Sequence, residues 1–112
     1  MSAKLNKFQC IGGFVSDPRV KETRTGTLIC RRVISVPRGW HNPDTGNYEE
    51  SSDEFELCAW GRVAEEMEAV PRGASVLVEG KLKMERWTDN GEIRHSLRLA
   101  VDSLQQVCEV ET

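Results

Sequence analysis

The sequence predicts a small all-β barrel of five strands, with one short helix between strands 3 and 4. Three observations predict it. Five short runs carry the β-branched, aromatic and alternating residues of strands. Turn chemistry separates them, as Ser16-Asp17-Pro18, Thr25-Gly26 and Asp89-Asn90-Gly91. A single segment, 62–70, changes period: Val63, Met67 and Val70 fall at i, i+4, i+7, with Glu65, Glu66 and Glu68 elsewhere.

The first strand is expected over 7–15. It contains Gly12-Gly13, and paired glycines inside a strand mark the bulge or sharp bend that a closing barrel requires. The second covers 27–36, with Leu28, Ile29, Val33, Ile34 and Val36. Residues 37–53 are rich in Pro, Gly, Asn, Asp and Ser and form a long exposed loop or flexible hairpin. The third strand is 54–60, with Phe55, Leu57 and Ala59 toward the core. After the helix, Pro71-Arg72-Gly73 acts as a stop. The fourth strand is 75–87, with Leu82 and Met84 as core and Lys81, Lys83, Glu85 and Trp87 on the opposite face. The last is 92–104, with Ile93, His95, Leu97, Leu99 and Val101 on one face and Arg94, Ser96 and Arg98 on the other. Three strands, a helix and two strands is the order of the five-stranded OB-fold barrel.

At 112 residues the chain is read as one domain, 1–112. No apolar run approaches the ~20 residues of a membrane span, and the N-terminus has no apolar signal core. The expected location is the cytoplasm, with the nucleoid. Cys10, Cys30, Cys58 and Cys108 form no C-x-x-C pair, and His41 and His95 stand apart from them, so no metal site or redox pair is expected. Nucleophile–base arrangements and phosphate-cradling glycine loops are also missing from the pattern, so neither an enzyme nor a cofactor is expected. Net charge is −3, but it is unevenly spread. Residues 1–48 carry eight Lys/Arg against three Asp/Glu, and residues 49–71 one against eight. A basic face is compatible with that distribution.

The three tryptophans carry the functional signal. Trp87 falls on the basic face of its strand, Trp40 lies in a polar segment beside Arg38 and His41, and Trp60 shares its parity with Glu54, Glu56 and Cys58 rather than with the core set. An exposed indole beside cations stacks on an unpaired base while the cations follow the phosphates. Each also has a plainer reading as a cover for the barrel rim or a hairpin. Arg31 and Arg32 point to opposite faces, and Arg31 is the one expected in a groove. Lys4, Lys7, Arg19, Lys21 and Arg24 are ordinary solvated charges or phosphate contacts. Five phosphate contacts would give a log–log salt slope of roughly −3.5.

From Leu5-Asn6-Lys7 to Leu104 the chain resembles the bacterial single-stranded-DNA-binding proteins. The resemblance rests on Asp17-Pro18-Arg19-Val20, Thr25-Gly26-Thr27, Trp60-Gly61-Arg62-Val63-Ala64-Glu65, Arg72-Gly73-Ala74-Ser75-Val76, Val78-Glu79-Gly80-Lys81-Leu82 and Trp87-Thr88-Asp89 with Asn90-Gly91, in order. It implies sequence-independent binding of single-stranded DNA in replication, recombination or repair. It also implies a homo-oligomer, a tetramer or a dimer, with replication or repair proteins as partners. The stacking positions fall on Trp40, Trp60 and Trp87, and Arg72 and Lys83 match positions where the family tends to carry basic residues. With Arg31, Arg38, Lys81 and Phe55 these are the candidate site residues. Two departures stand out. Glu54 occupies a family aromatic position, leaving Phe55 as the nearest substitute, and Glu54 and Glu56 would lie on the binding side. The chain also ends at Glu109-Val110-Glu111-Thr112 without the Gly/Pro/Gln-rich, Phe-tipped tail usual in the family, as for a chain whose tail lies outside this sequence or a short plasmid, phage or accessory relative. The competing reading is an OB-fold adaptor that binds replication or primosome proteins rather than DNA.

Overall fold

The computed structural model describes residues 2–107. The elements are β1 (Phe8–Phe14), β2 (Arg19–Glu22), β3 (Leu28–His41), β4 (Tyr48–Trp60), α1 (Gly61–Ala69), β5 (Ser75–Asp89) and β6 (Glu92–Gln106). The sheet runs β1-β5-β6-β4-β3-β2, and an additional β1–β3 pairing closes it into a barrel. The helix lies between the third and fourth barrel strands, as the change of period predicts.

Two features depart from the expected layout. Arg19–Glu22 is a strand, and it pairs with the same β3 that β1 reaches. Phe14 faces Ile34 while Arg19 faces Arg31, so Ser16-Asp17-Pro18 is a bulged interruption of one long first barrel strand rather than a reversing turn. The segment 37–53 is also mostly paired. The β3–β4 ladder continues to His41↔Tyr48, and only residues 42–47 form the connecting loop.

The barrel closes because β1 lies against two strands. Its residues Phe8 to Gly13 pair with β5, and Gly13 and Phe14 pair with β3. At the crossing there is no room for a side chain on Gly12, where a Cβ would collide with the Ser35 carbonyl. Gly80 is a second such point, where a Cβ would meet the Ala100 carbonyl and the Phe8 ring. There Glu79 faces Ser103 and Gly80 faces Val101, so Asp102 is an extra residue, a bulge that turns Leu104 and Val101 toward the same interior.

Phe14, Ile34, Leu57, Ala59, Met67, Val76, Val78 and Val101 form the centre of the core. Arg32 is buried among them at 1% exposure. Its guanidinium donates to the carbonyls of Met67 at 2.8 Å, Val70 at 2.5 Å and Ser16 at 3.1 Å, and stacks 4.2 Å above the Phe14 ring. The helix C-terminus thereby gains a donor for the Val70 carbonyl and a second one for the Met67 carbonyl, which also accepts the Val70 N–H at 3.4 Å. Burial lowers the Arg32 pKa from its ordinary value, but a guanidinium stays charged in proteins.

Both long hairpins outrun the barrel. Beyond Val36 on β3 and beyond Gly80 on β5 the residues are exposed on both sides of the ribbon. This corrects the reading of Leu82 and Met84 as core. They are 41% and 54% exposed, and Ile93, Leu97 and Phe55 on the same side are exposed too. Alternation chose their side correctly, but no second layer covers it. The Cα radius of gyration, 17.1 Å, exceeds the about 13 Å of a compact chain of this length, as two projecting ribbons require.

Gly12→Ala is expected to destabilise the protein by about 1–3 kcal/mol through overpacking against backbone, read as a lowered urea midpoint at unchanged m-value. Arg32→Met is expected to cost about 2–4 kcal/mol, because it strands buried carbonyls, and the same titration measures it.

Candidate nucleic-acid interface

Register decides which side chains share a face. On β5, Lys81 sits opposite Ala100, Lys83 opposite Arg98, Glu85 opposite Ser96 and Trp87 opposite Arg94. On β3 and β4, Arg31 sits opposite Cys58 and Ile29 opposite Trp60, and β2 adds Arg19 beside Arg31 and Lys21 beside Ile29. The parallel β4–β6 pairing aligns Cys58 with Ala100 and joins the two halves. Arg19, Arg31, Cys58, Ala100 and Lys81 therefore form one row across five strands, with Lys21, Ile29 and Trp60 in the next row.

Trp60 is 36% exposed and ends β4 where the chain turns into α1 at Gly61, whose φ is 63°. The Lys83 ammonium lies 5.4 Å from the Trp60 ring centroid. Both side chains reach over the Cys58–Lys81 row to meet, a cation–π contact worth about 0.5–1 kcal/mol when exposed. Beside them a groove of about 500 Å³ runs over β2 and β3, lined by Arg19, Lys21, Thr23, Ile29 and Arg31 among others.

The cations of this face fall into two kinds. Among the described residues Lys21, Arg31, Lys81 and Lys83 have no carboxylate within salt-bridge distance. Arg19, Arg94 and Arg98 are ion-paired, to Glu56 at 2.9 Å, to Asp89 at 3.3 Å and Glu92 at 3.5 Å, and to Glu85. Arg98 also points a guanidinium nitrogen at the Cys58 sulfur, 3.9 Å away. Partial burial works against the Arg98 charge, but the hydrogen bonds to Cys58 and Glu85 outweigh it and raise its pKa above the ordinary value. Cys58 faces this side yet is only 2% exposed. Burial raises the thiol pKa of Cys10 and Cys30, which leaves both less nucleophilic than a free thiol. Cys108 lies outside the described residues. No group of three or more His, Cys, Asp or Glu converges as metal ligands among the described residues.

The structure thus brings Trp60, Trp87, Arg31, Lys81 and Lys83 onto one face. Trp87, 45% exposed, stands near the tip of the β5–β6 ribbon. Trp40 and Arg38 sit on the other ribbon. The Arg38 guanidinium lies 5.1 Å from the Trp40 centroid and is paired to Asp53 at 3.2 Å. By alternation both continue the side of β3 that carries Ile34 into the barrel. Phe55 does likewise, opposite Ile34, and points away from Trp60. Arg72 donates to the Val15 carbonyl at 2.8 Å and lies 3.8 Å from Asp17, so its contacts are at the β1–β2 junction. Glu54 and Glu56 do share the face of Trp60.

Arg98 is absent from the residues picked by sequence, although a signal for it existed. Asn90 and Gly91, at φ 50° and 79°, make a two-residue turn. Such a turn fixes the register of the whole ribbon, and counting back from it sets Lys83 against Arg98. The groove at Lys21 had no such signal, because the pairing of β2 depends on the bulge at Ser16-Asp17-Pro18.

A closed five-stranded barrel with its helix between the third and fourth strands is the architecture of the OB-type barrels. The profile of the "Single-strand binding protein family" matches residues 5–107. The chain is 31% identical over 107 residues to single-stranded DNA-binding protein 1 of Xylella fastidiosa, covering 94% of this chain and 79% of that protein. It is 26% identical to single-stranded DNA-binding protein 1 of Chlorobaculum tepidum, covering 96% and 67% respectively. Among solved structures, the Plasmodium falciparum SSB in complex with ssDNA superposes with a TM-score of 0.80 at 17% identity, covering 96% of this chain and 99% of that one. A Thermus aquaticus single-stranded DNA binding protein also gives 0.80, at 21% identity; 92% of this chain is covered, and it spans half of that longer chain. The chain belongs to the single-strand binding protein family.

If Lys83 holds the Trp60 ring as described, Lys83→Met shifts the Trp60 emission of a Trp40→Phe, Trp87→Phe background while leaving the circular dichroism spectrum unchanged. An unaltered emission would contradict that contact.

Proposed function

We propose that this protein binds single-stranded DNA without sequence preference, stacking bases on Trp60 and Trp87, with Trp40 on the neighbouring ribbon, and holding phosphates with Lys21, Arg31, Lys81 and Lys83. The observation that carries this reading is the coincidence, on one exposed face, of two indoles with the cations that lack carboxylate partners. Indoles accept any base face, so the grip is insensitive to sequence, and the ammonium groups supply a salt-dependent hold. Phe55 and Arg72 stay outside this set: Phe55 lies on the opposite side of β4 from Trp60, and Arg72 is held at the Val15 carbonyl and Asp17. Such a protein has no chemistry to perform. It coats and protects the strand in replication, recombination or repair, in the cytoplasm at the nucleoid.

The reading includes self-association. Opposite the cationic face, Leu82, Met84 and Leu97 form an exposed apolar patch around the pair Met84↔Leu97, and Ile93 lies beyond the Arg86↔His95 pair. The edge of β1 from Phe8 to Gly12 that turns away from β5 is open among the described residues. A second copy covers such an edge and patch in a homo-oligomer.

Titration with oligo(dT) is expected to quench tryptophan fluorescence strongly, whereas an adaptor would leave it nearly unchanged. Trp60→Ala is expected to lose about 1–3 kcal/mol of binding. Four free cations on phosphates give a log–log salt slope of about −2.8, and Lys83→Ala reduces it by about 0.7. Light scattering is expected to give more than a monomer at micromolar concentration, and Met84→Lys with Leu97→Lys to shift it toward smaller species.

A further inference from the structure

Arg31 apart, the arginines of the proposed binding face are not presented free. Arg19 on β2 reaches diagonally across β3 to Glu56 on β4 at 2.9 Å, in a contact that is both a hydrogen bond and an ion pair. Arg98 on β6 reaches diagonally to Glu85 on β5, again as hydrogen bond and ion pair. All four residues lie on the face of Trp60 and Lys83. Glu56 and Glu85 are about half exposed, so solvent and a ligand can both reach them. Neither carboxylate has another cation partner among the described residues, and neither touches the core.

We propose that Glu56 and Glu85 are built-in counterions that occupy the phosphate positions of Arg19 and Arg98 and so limit affinity. This rests on the single-stranded-DNA reading of the same face. A phosphodiester must displace a carboxylate already held at hydrogen-bond distance. The arginine then exchanges one anion for another, and little is gained. The free cations Lys21, Arg31, Lys81 and Lys83 carry the electrostatic attraction, and stacking on the indoles carries a larger share of the total. The arrangement explains how a face with this many basic residues exists in a chain of net charge −3. Glu54 lies on the same face but has no cation partner among the described residues, so it repels phosphate without masking an arginine.

The test is a double-mutant cycle with labelled oligo(dT) followed by anisotropy, which does not depend on tryptophan. Exposed ion pairs of this kind are weak, so Glu56→Gln and Glu85→Gln are each expected to tighten binding by about two- to fivefold. The salt slope steepens by about 0.7 for each released arginine. In Arg19→Met and Arg98→Met backgrounds respectively, the same glutamines should give no gain. A gain that persists without the arginine means simple removal of repulsion and overturns the proposal. Binding by the wild type with both glutamine variants unchanged overturns it as well, and leaves the single-stranded-DNA reading standing. Absence of oligo(dT) binding by the wild type and every variant at low salt overturns both.

Discussion

The barrel closes only because one strand lies against two others. β1 pairs with β5 along most of its length and then with β3 at Gly13 and Phe14, and the backbones come close enough at Gly12 that only hydrogen fits there. Much else follows from that closure. A small barrel uses only a few residues of each strand, so strands of 13 to 15 residues cannot remain within it. Their excess leaves as two ribbons, β3–β4 and β5–β6. The ribbons have no second layer, so their side chains are exposed on both sides whatever their polarity. Tryptophans placed there remain available to a ligand, while a tryptophan inside the barrel would be sealed.

Arg32 shows how the closed end is held. A charged group at 1% exposure is normally a liability. Here its hydrogens meet carbonyls from the helix terminus and from Ser16, and its flat face meets the Phe14 ring. One side chain thereby ties the bulge between β1 and β2, the end of α1 and the middle of β3. Its sequence neighbour Arg31 emerges on the opposite side, in the row with Cys58 and Lys81. The buried pin and the outward cation are consecutive residues of one strand, so the strand that anchors the barrel also sets the place of Arg31 on the outer face.

The two ribbon faces are chemically distinct. One carries indoles, lysines and arginines, several of them neutralised by carboxylates of the same face. The other carries Leu82, Met84, Leu97 and Ile93 with Arg86 and His95 between them on one ribbon, and Arg38 and Trp40 on the other.

Sequence alone determined which side of each strand a residue takes, where the helix falls and where the tight turn at Asn90-Gly91 lies, because period and turn chemistry are local. It therefore placed Trp60 and Lys83 on outward faces, separated Arg31 from Arg32 and kept Leu57 and Ala59 inward. Tertiary structure decided whether each side is covered. Leu82 and Met84 have the pattern of core residues and no core above them, because strand alternation carries no information about a second layer. Pairing across the barrel likewise decided that Phe55, which parity had already turned away from Trp60, sits opposite Ile34, and that Arg19 meets Glu56, whereas the meeting of Arg98 with Glu85 follows from the hairpin register. Those partners lie 37 and 13 residues apart, and the longer of these separations depends on a bulge and a barrel closure that have no local signature.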